Sequence, residues 1–585
     1  MNKRPLIVAL GSLFTIAAML ISAFAVQGAF ARGVHTTTKT SGSGVTISSQ
    51  KGASQTASAH VYNLKNLPTV KNAPASSHTV LPFRGSPKLA AYKKSAVHNK
   101  NAPARGTAIT DSSSNSRSGI VGFNGMADSA TICPYFGGCQ PPDMALATSP
   151  TLVLQGVNTS YAFYDTHGNL VAGPINDQVW YGVPNPPNNC DPNGPFLSDP
   201  RAFYDPNTGL FWTATLQVES AAFGVGVNCP NLSLYWIANI NPTTGVMHVY
   251  SFDMTLGGTV NAGADYTEFG FSRDVIAFSG NMFDFTTGNF DFAEVQFANK
   301  STMAQGLPVT TSAFTGLSAT GPNGTIYMDT IQPVETITPA NQDPGVEYLI
   351  NTFNIYGDPF GDDCLFTACQ GFVTWAFDPS SNSLTGTFVG TGVPNPTYVA
   401  PPPADEPGCL FCVETIDTRI TGTPVYSLGG GQPLISFSID TGVNNGGPAF
   451  PNVVPGILWG QVQVSHGAGF VIANLYQSGY LYYSGDRAAS FGAMMQDKNG
   501  QLFMVYDTMS ANLNPSIMIA QRGTSTPLGN FGNTRFVIKG PAATFDSRWG
   551  DFEAASYTGF GSNHVWVASQ YSISGDWATY IARVS

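Results

Sequence analysis

Charged side chains make up only 10% of the 585 residues, so acids and arginines that recur in similar settings stand out as the groups able to do chemistry. They are Asp143, Asp199 with Arg201, Asp265, Asp417 with Arg419, Asp486 with Arg487, and Arg548 with Asp551. A guanidinium binds a carboxylate through two parallel hydrogen bonds, and a carboxylate accepts from hydroxyls. A ring of the two types could therefore clamp a carboxylated or hydroxylated ligand. Arg201, Arg419 and Arg548 could hold a carboxylate while Glu268 or Glu553, close in sequence to the aspartates, did acid or nucleophile work of the glycosidase kind. The structural alternative weighs more for each residue. Asp–Arg pairs and Asp-to-backbone bonds can equally tie neighbouring units of a fold together, and a fold alone implies no reaction.

Other chemistries find less support. The histidines after the leader half, His167, His248, His466 and His564, form no His-x-x-x-His pair, so zinc is not expected. A Gly-x-Ser-x-Gly elbow and a phosphate-binding glycine loop are both missing. Asp362-Asp363 could offer oxygens to Ca²⁺, but no loop has a calcium-binding spacing, so no cofactor is expected. The loops Trp180–Pro187 and Pro394–Pro407 are rich in aromatic residues and proline. They could stack on sugars or serve as rigid covers.

The elements that must position these residues are announced by turns. Tyr204-Asp205-Pro206-Asn207-Thr208-Gly209, Ile240-Asn241-Pro242-Thr243-Thr244-Gly245 and Phe377-Asp378-Pro379-Ser380-Ser381-Asn382 share one pattern. Proline presets φ, Asp or Asn caps the turn with its side chain, and glycine accepts positive φ. Looser copies lie at Tyr164–Gly168, Phe283–Gly288 and Gln496–Gly500. Short β-branched and aromatic runs flank them, such as Leu502-Phe503-Met504-Val505-Tyr506, and the pattern predicts hairpins throughout. After residue 118 the chain divides into seven segments, 142–195, 196–258, 259–322, 323–397, 410–480, 486–540 and 545–585. The expected fold is all-β: a β-propeller of seven four-stranded blades, with six or eight as open alternatives. The last segment is short, and Ile120–Phe123 could supply its missing strand and close the ring, which removes exposed sheet edges. In a propeller the starts of the inner strands converge at one mouth of the central channel. The acids and arginines above would meet there.

An ordered set of motifs carries a resemblance: Pro141-Pro142-Asp143, Ser198-Asp199-Pro200-Arg201, Asn281-Met282-Phe283, Asn514-Pro515-Ser516-Ile517 with Ala520-Gln521-Arg522, and Arg548-Trp549-Gly550-Asp551-Phe552. Together, over most of 140–585, they resemble secreted bacterial β-propeller proteins, distantly sialidase-like in architecture and largely without assigned activity. The chain departs from that pattern at Phe552 and Thr267, where tyrosine and proline are usual. The resemblance implies the fold and an extracellular role, and supplies no catalytic mechanism. A Ser-x-Asp-x-Gly-x-Thr-Trp box is also missing; the nearest run, Asp497-Lys498-Asn499-Gly500, reads as a plain turn.

Charge divides the chain. Residues 1–118 carry a net +13, with Asp111 the single acid, and residues 119–585 carry −24. An acidic folded part argues against nucleic-acid binding there. Lys3-Arg4, the uncharged run Pro5–Ala31 and two Ala-x-Ala sites read as a signal peptide over 1–31, with an uncleaved anchor as the alternative. Residues 32–118 read as a disordered basic linker or propeptide able to touch an anionic cell wall or membrane surface. The propeller domain then spans 119–585. The eight cysteines imply disulfides in an exported protein. Proximity in sequence pairs Cys133 with Cys139, Cys190 with Cys229, Cys364 with Cys369 and Cys409 with Cys412. A redox or metal role for Cys409-Leu410-Phe411-Cys412 is the alternative.

The expected function is a secreted, monomeric binding module for a glycan or a cell-surface protein, with Asp143, Asp199, Arg201, Asp265, Asp417, Arg419, Arg548 and Asp551 as candidate ligand contacts. A propeller glycosidase, sialidase-like or other, is the alternative, and a structural envelope protein is a third reading.

Overall fold

The computed structural model describes residues 119–585 except 136–137, 322–323, 354–363, 365–367, 390–395, 430, 445–451, 468, 533 and 545–547. From the N-terminal part it describes 39–40, 45–69, 79–80, 93, 95–103 and 109. The expected signal peptide and Asp362-Asp363 lie outside the described residues.

Nearly every regular element is a strand, and consecutive strands pair antiparallel through the turns read from the sequence. In the clearest turn the Asp205 carboxylate accepts from the Asn207 N–H at 2.9 Å and the Thr208 hydroxyl at 2.8 Å, and Gly209 takes φ +72°. Asn241, Asp284, Asp378 and Asp497 cap their turns the same way. Five meanders stand as discrete blades. Their inner strands are Ala145–Thr148, Leu197–Asp205, Gln332–Pro333, Ala488–Gln496 and Ala554–Tyr557. The expectation of seven separate blades is corrected: the structure has five. The strands beginning at Ala262–Phe271 and at Val425–Gly429 belong instead to one twelve-stranded sheet. The short strand Glu335–Thr336 runs parallel between their inner strands, pairing with Phe271 on one side and with Val425 and Tyr426 on the other. It thus satisfies on both sides main-chain groups that would otherwise leave two separate edges.

The inner strands touch in chain order around a closed ring, the last, Ala554–Tyr557, against the first, Ala145–Thr148. The ring closes as expected. Ile120–Ala127 pairs antiparallel with the C-terminal strand Asp576–Val584 and completes the last blade. Aromatic side chains fill the spaces between sheets. Phe203 stacks on Phe271 at 4.1 Å and Phe297 on Phe377 at 4.0 Å, each pair joining two meanders. Such offset pairs add to the apolar burial that holds the sheets together.

The region 32–118, expected to be disordered, contributes strands. Thr46–Lys51 pairs with Ser312–Gly321, Thr56–Ala57 with Val309–Thr310, and His60–Asn63 with Val246–Asp253. Outer strands offer unpaired N–H and C=O groups, and a short extended segment satisfies them. Val45, Ile47 and Ser49 point inward in strict alternation, all buried. All four expected disulfides are present, with Cα–Cα distances of 5.7, 5.1, 5.2 and 6.0 Å in chain order. Among the described residues, no helix is long and apolar enough to cross a membrane.

Candidate functional site

At the mouth of the ring, the entrances of the inner strands share a backbone device. Asp143, Asp199, Tyr266, Thr330, Ile416 and Phe491 all have φ between +41° and +63°. Left-handed backbone is costly for non-glycine residues, and it persists where surrounding contacts over-determine it. Ladder register slips at three of these entrances, between Ser198 and Arg201, Asp265 and Glu268, and Ser490 and Ala493. Each slip is a bulge that re-aims the side chains after it, which brings the charged residues together.

Asn158 joins the first two entrances. Its Nδ2 donates to Asp143 Oδ2 at 2.7 Å, and its Oδ1 accepts the Asp199 N–H at 2.8 Å. Asp143 Oδ1 accepts the Asp551 N–H at 2.9 Å, which ties the first blade to the last. Arg548 Nη2 donates to Asp551 Oδ1 at 2.6 Å. Arg419 grips Asp417 with two bonds, from Nε at 2.8 Å and from Nη2 at 2.6 Å. Arg201 reaches furthest. Its Nε donates to the Thr267 carbonyl at 2.9 Å, Nη1 approaches the Thr421 carbonyl at 3.4 Å, and the guanidinium lies 3.3 Å above the Phe552 ring. Tyr266 meets Phe552 edge-on at 5.7 Å and donates to the Asp551 carbonyl at 3.2 Å. The ring of charges is therefore a packed plug of residues from across the propeller. Arg201, Asp199, Asp417, Arg419, Arg548 and Asp551 are all buried.

Burial dominates the electrostatics. It pushes the Asp199 carboxyl up to about 7, with Asp265 and Asp551 adding like-charge repulsion. Asp143 goes well above the usual carboxylate range for the same first reason, reinforced by Asp551 and Asp199. Burial would also raise Asp417, but the Arg419 charge and its hydrogen bonds outweigh it and hold that carboxyl low. Just behind the entrances lie two further acids. Burial lifts Glu268 to about 8; its Oε2 accepts from Ser279, and its Oε1 has no hydrogen-bond partner among the described residues. Glu553 is raised well above its ordinary value, first by burial and then by Asp507. Asp507 accepts from Trp549 Nε1 at 2.6 Å and from the Ser569 hydroxyl.

The structure thus gathers Asp143, Asp199, Arg201, Asp265, Asp417, Arg419, Arg548 and Asp551 as the sequence suggested. Asp265 is placed by its electrostatic effect on Asp199. Asp486 and Arg487 serve locally: Asp486 accepts the Ala511 N–H at 3.0 Å, and Arg487 donates to Thr508 and lies 3.8 Å over Tyr483. Sequence reasoning missed Asn158, Asp507 and Lys93. Asp507 was detectable as a lone acid following the apolar run Leu502–Tyr506. Lys93, expected in a solvated linker, is buried and donates to Glu414 and to the Ile416 carbonyl. Among the described residues, no group of three or more His, Cys, Asp or Glu is arranged to hold a metal ion.

No protein-family model matches the chain, and no curated protein matches it. Solved structures similar to it include the Hadza microbial sialidase Hz136, at 12% identity and TM-score 0.33, covering 63% of each chain. Others are a polysaccharide lyase of family PL25, an ulvan lyase, at 11% identity and TM-score 0.35 over 74% of this chain and 90% of that one, and Drosophila Plexin A in complex with Semaphorin 1b, at 9% identity and TM-score 0.35 over 82% and 88%. The chain spans 63% of the sialidase's length, less than two thirds.

Proposed function

We propose that this protein is an extracellular β-propeller binding module whose ligand is a glycan or a cell-surface protein, and that it acts without a cofactor. One observation carries the reading. Six of the eight candidate groups at the channel mouth are matched within the protein: Asp417 by Arg419, Asp551 by Arg548, Asp143 by Asn158 and a backbone amide, and Arg201 by two carbonyls and an aromatic face. Asp143, Asn158 and Arg201 link the entrances of different sheets, and breaking a buried charged contact costs far more than a surface one. They make a rigid scaffold of the fold and leave recognition to its faces. Four disulfides support an oxidising, extracellular setting. The test is capture of cell-wall fragments and a glycan array by the folded protein. Retained ligand on washing supports the module; a folded protein that holds no surface component refutes it.

A second reading, a glycosidase, draws on Glu268 and Glu553. A carboxyl kept protonated near neutral pH by burial is the type of group that serves as general acid. Both are fully buried, so substrate would have to open the plug. Hydrolysis of chromogenic glycosides, a sialoside included, that is abolished by Glu553→Gln and Asp551→Asn would establish it.

A further inference from the structure

The inner strands end at the face opposite the plug, and there the structure forms a cavity of about 390 Å³. Phe491 at the mouth and Gln496 at the far end are five strand residues apart, roughly 17 Å. The cavity lies where turns of different sheets meet: the turn after Gln496, the turn after Tyr557, the loop Ile337–Gln342 and the hairpin after Ser427. Its size falls within the ~300–1,000 Å³ of small-molecule sites.

Its lining combines an aromatic wall with planar amides. Phe560 is 38% exposed, and its ring lies 6.3 Å from that of buried Tyr557. Gln342, Gln496 and Lys498 also line the space. Ser427 donates its hydroxyl to Gln496 Oε1, which fixes that amide and leaves Nε2 as its donor end. Thr338 lines the same cavity but is 3% exposed, whereas Gln342 is exposed and offers its amide to it. The walls are held firmly. Asp497 accepts from the N–H groups of Asn499 and Gln501 and from both their side-chain amides, and the Lys498 N–H donates to the Ser562 carbonyl, joining two blades. Asp497 is thereby committed to its turn and is not a candidate acid.

We propose that this cavity is a saccharide-binding site, with one ring of the sugar against Phe560 and its hydroxyls on Gln342 and Gln496. An aromatic face beside amide groups matches a ring that is apolar on its C–H face and rich in hydroxyls at its edge. Lys498 at the rim favours an anionic substituent. The proposal rests on the binding-module reading and moves the ligand from the plugged mouth to the opposite face.

Titration calorimetry on the full chain, with neutral and uronate oligosaccharides as probes, tests it. The expected result is saturable binding, weakened about tenfold or more by Phe560→Ala, where a large contact area is lost. Gln342→Ala should weaken it about fivefold, the worth of one hydrogen bond, while leaving the melting temperature unchanged, because Gln342 is exposed. Binding that survives both cavity substitutions overturns the site and keeps the module. Absence of binding by every saccharide overturns the site and leaves a surface protein as the module's ligand.

Discussion

Raising the pH from about 5 to about 8.5 should unfold this protein more easily, and Glu268→Gln should blunt the effect. Burial lifts Glu268 from 4.5 to about 8, Glu335 from 4.5 to about 8, and Asp199 and Asp507 from 3.8 to about 7. A group raised in the folded state contributes stability that is fully present below its unfolded value and is lost as pH climbs through its folded value. One pKa unit is worth about 1.4 kcal/mol, so a difference of about 3.5 units at Glu268 alone represents on the order of 5 kcal/mol. Asp417 works in the opposite sense. Held low by Arg419, it stabilises above the ordinary carboxylate range and loses that contribution as pH falls through its own folded value. Stability should therefore peak in mild acid and decline toward alkaline pH. Thermal unfolding followed by circular dichroism at half-unit pH steps, disulfides intact, measures this for the wild type and for Glu268→Gln. Glutamine keeps the shape of the protonated acid without its titration, so the variant should show a shallower decline. A melting temperature that is flat or rises between pH 5 and 8.5, or an unchanged slope in the variant, would refute the electrostatic argument.

Other outcomes follow from single contacts. Arg548→Ala strands the buried Asp551 carboxylate and should cost about 3–5 kcal/mol in denaturant unfolding, more than Arg273→Ala, whose ion pair with Asp274 is exposed. Phe552→Ala should cost about 3–5 kcal/mol, since it opens a cavity beneath the Arg201 guanidinium. Replacing Cys190 and Cys229 by alanine opens a span of 39 residues and should cost roughly 4 kcal/mol, against about 2 kcal/mol for the 5-residue span of Cys364 and Cys369, read from paired melting curves. Lys93→Met should destabilise the fold measurably, because Lys93 is buried against Glu414; an unchanged melting temperature would mean that the segment around it contributes nothing to the domain.

Much of the architecture could be read from the chain because its signals are local. An Asp-Pro-Asn-Thr-Gly run makes a tight turn wherever it occurs, as Asp205 and Gly209 do. Cysteines five or six residues apart have few other partners within reach, and a lone strand at Ile120 answered a last segment one strand short. Composition and turn chemistry were therefore sufficient for an all-β propeller, its ring closure and its disulfides. They were also sufficient to select the acids and arginines that gather at the mouth. Only the tertiary structure decided what those groups do there. Asn158 joins Asp143 to Asp199, Arg201 reaches carbonyls at Thr267 and Thr421, and Phe552 lies beneath its guanidinium. Each contact joins residues from 15 to several hundred positions apart, and nothing near either partner encodes it. The same holds for the sheet fused through Glu335–Thr336, for the edge strands drawn from the basic N-terminal region, and for the cavity beside Phe560. A turn is chosen by the conformational preferences of four or five neighbouring residues, whereas the pairing of a buried charge and the shape of a cavity depend on which distant surfaces the closed ring brings together.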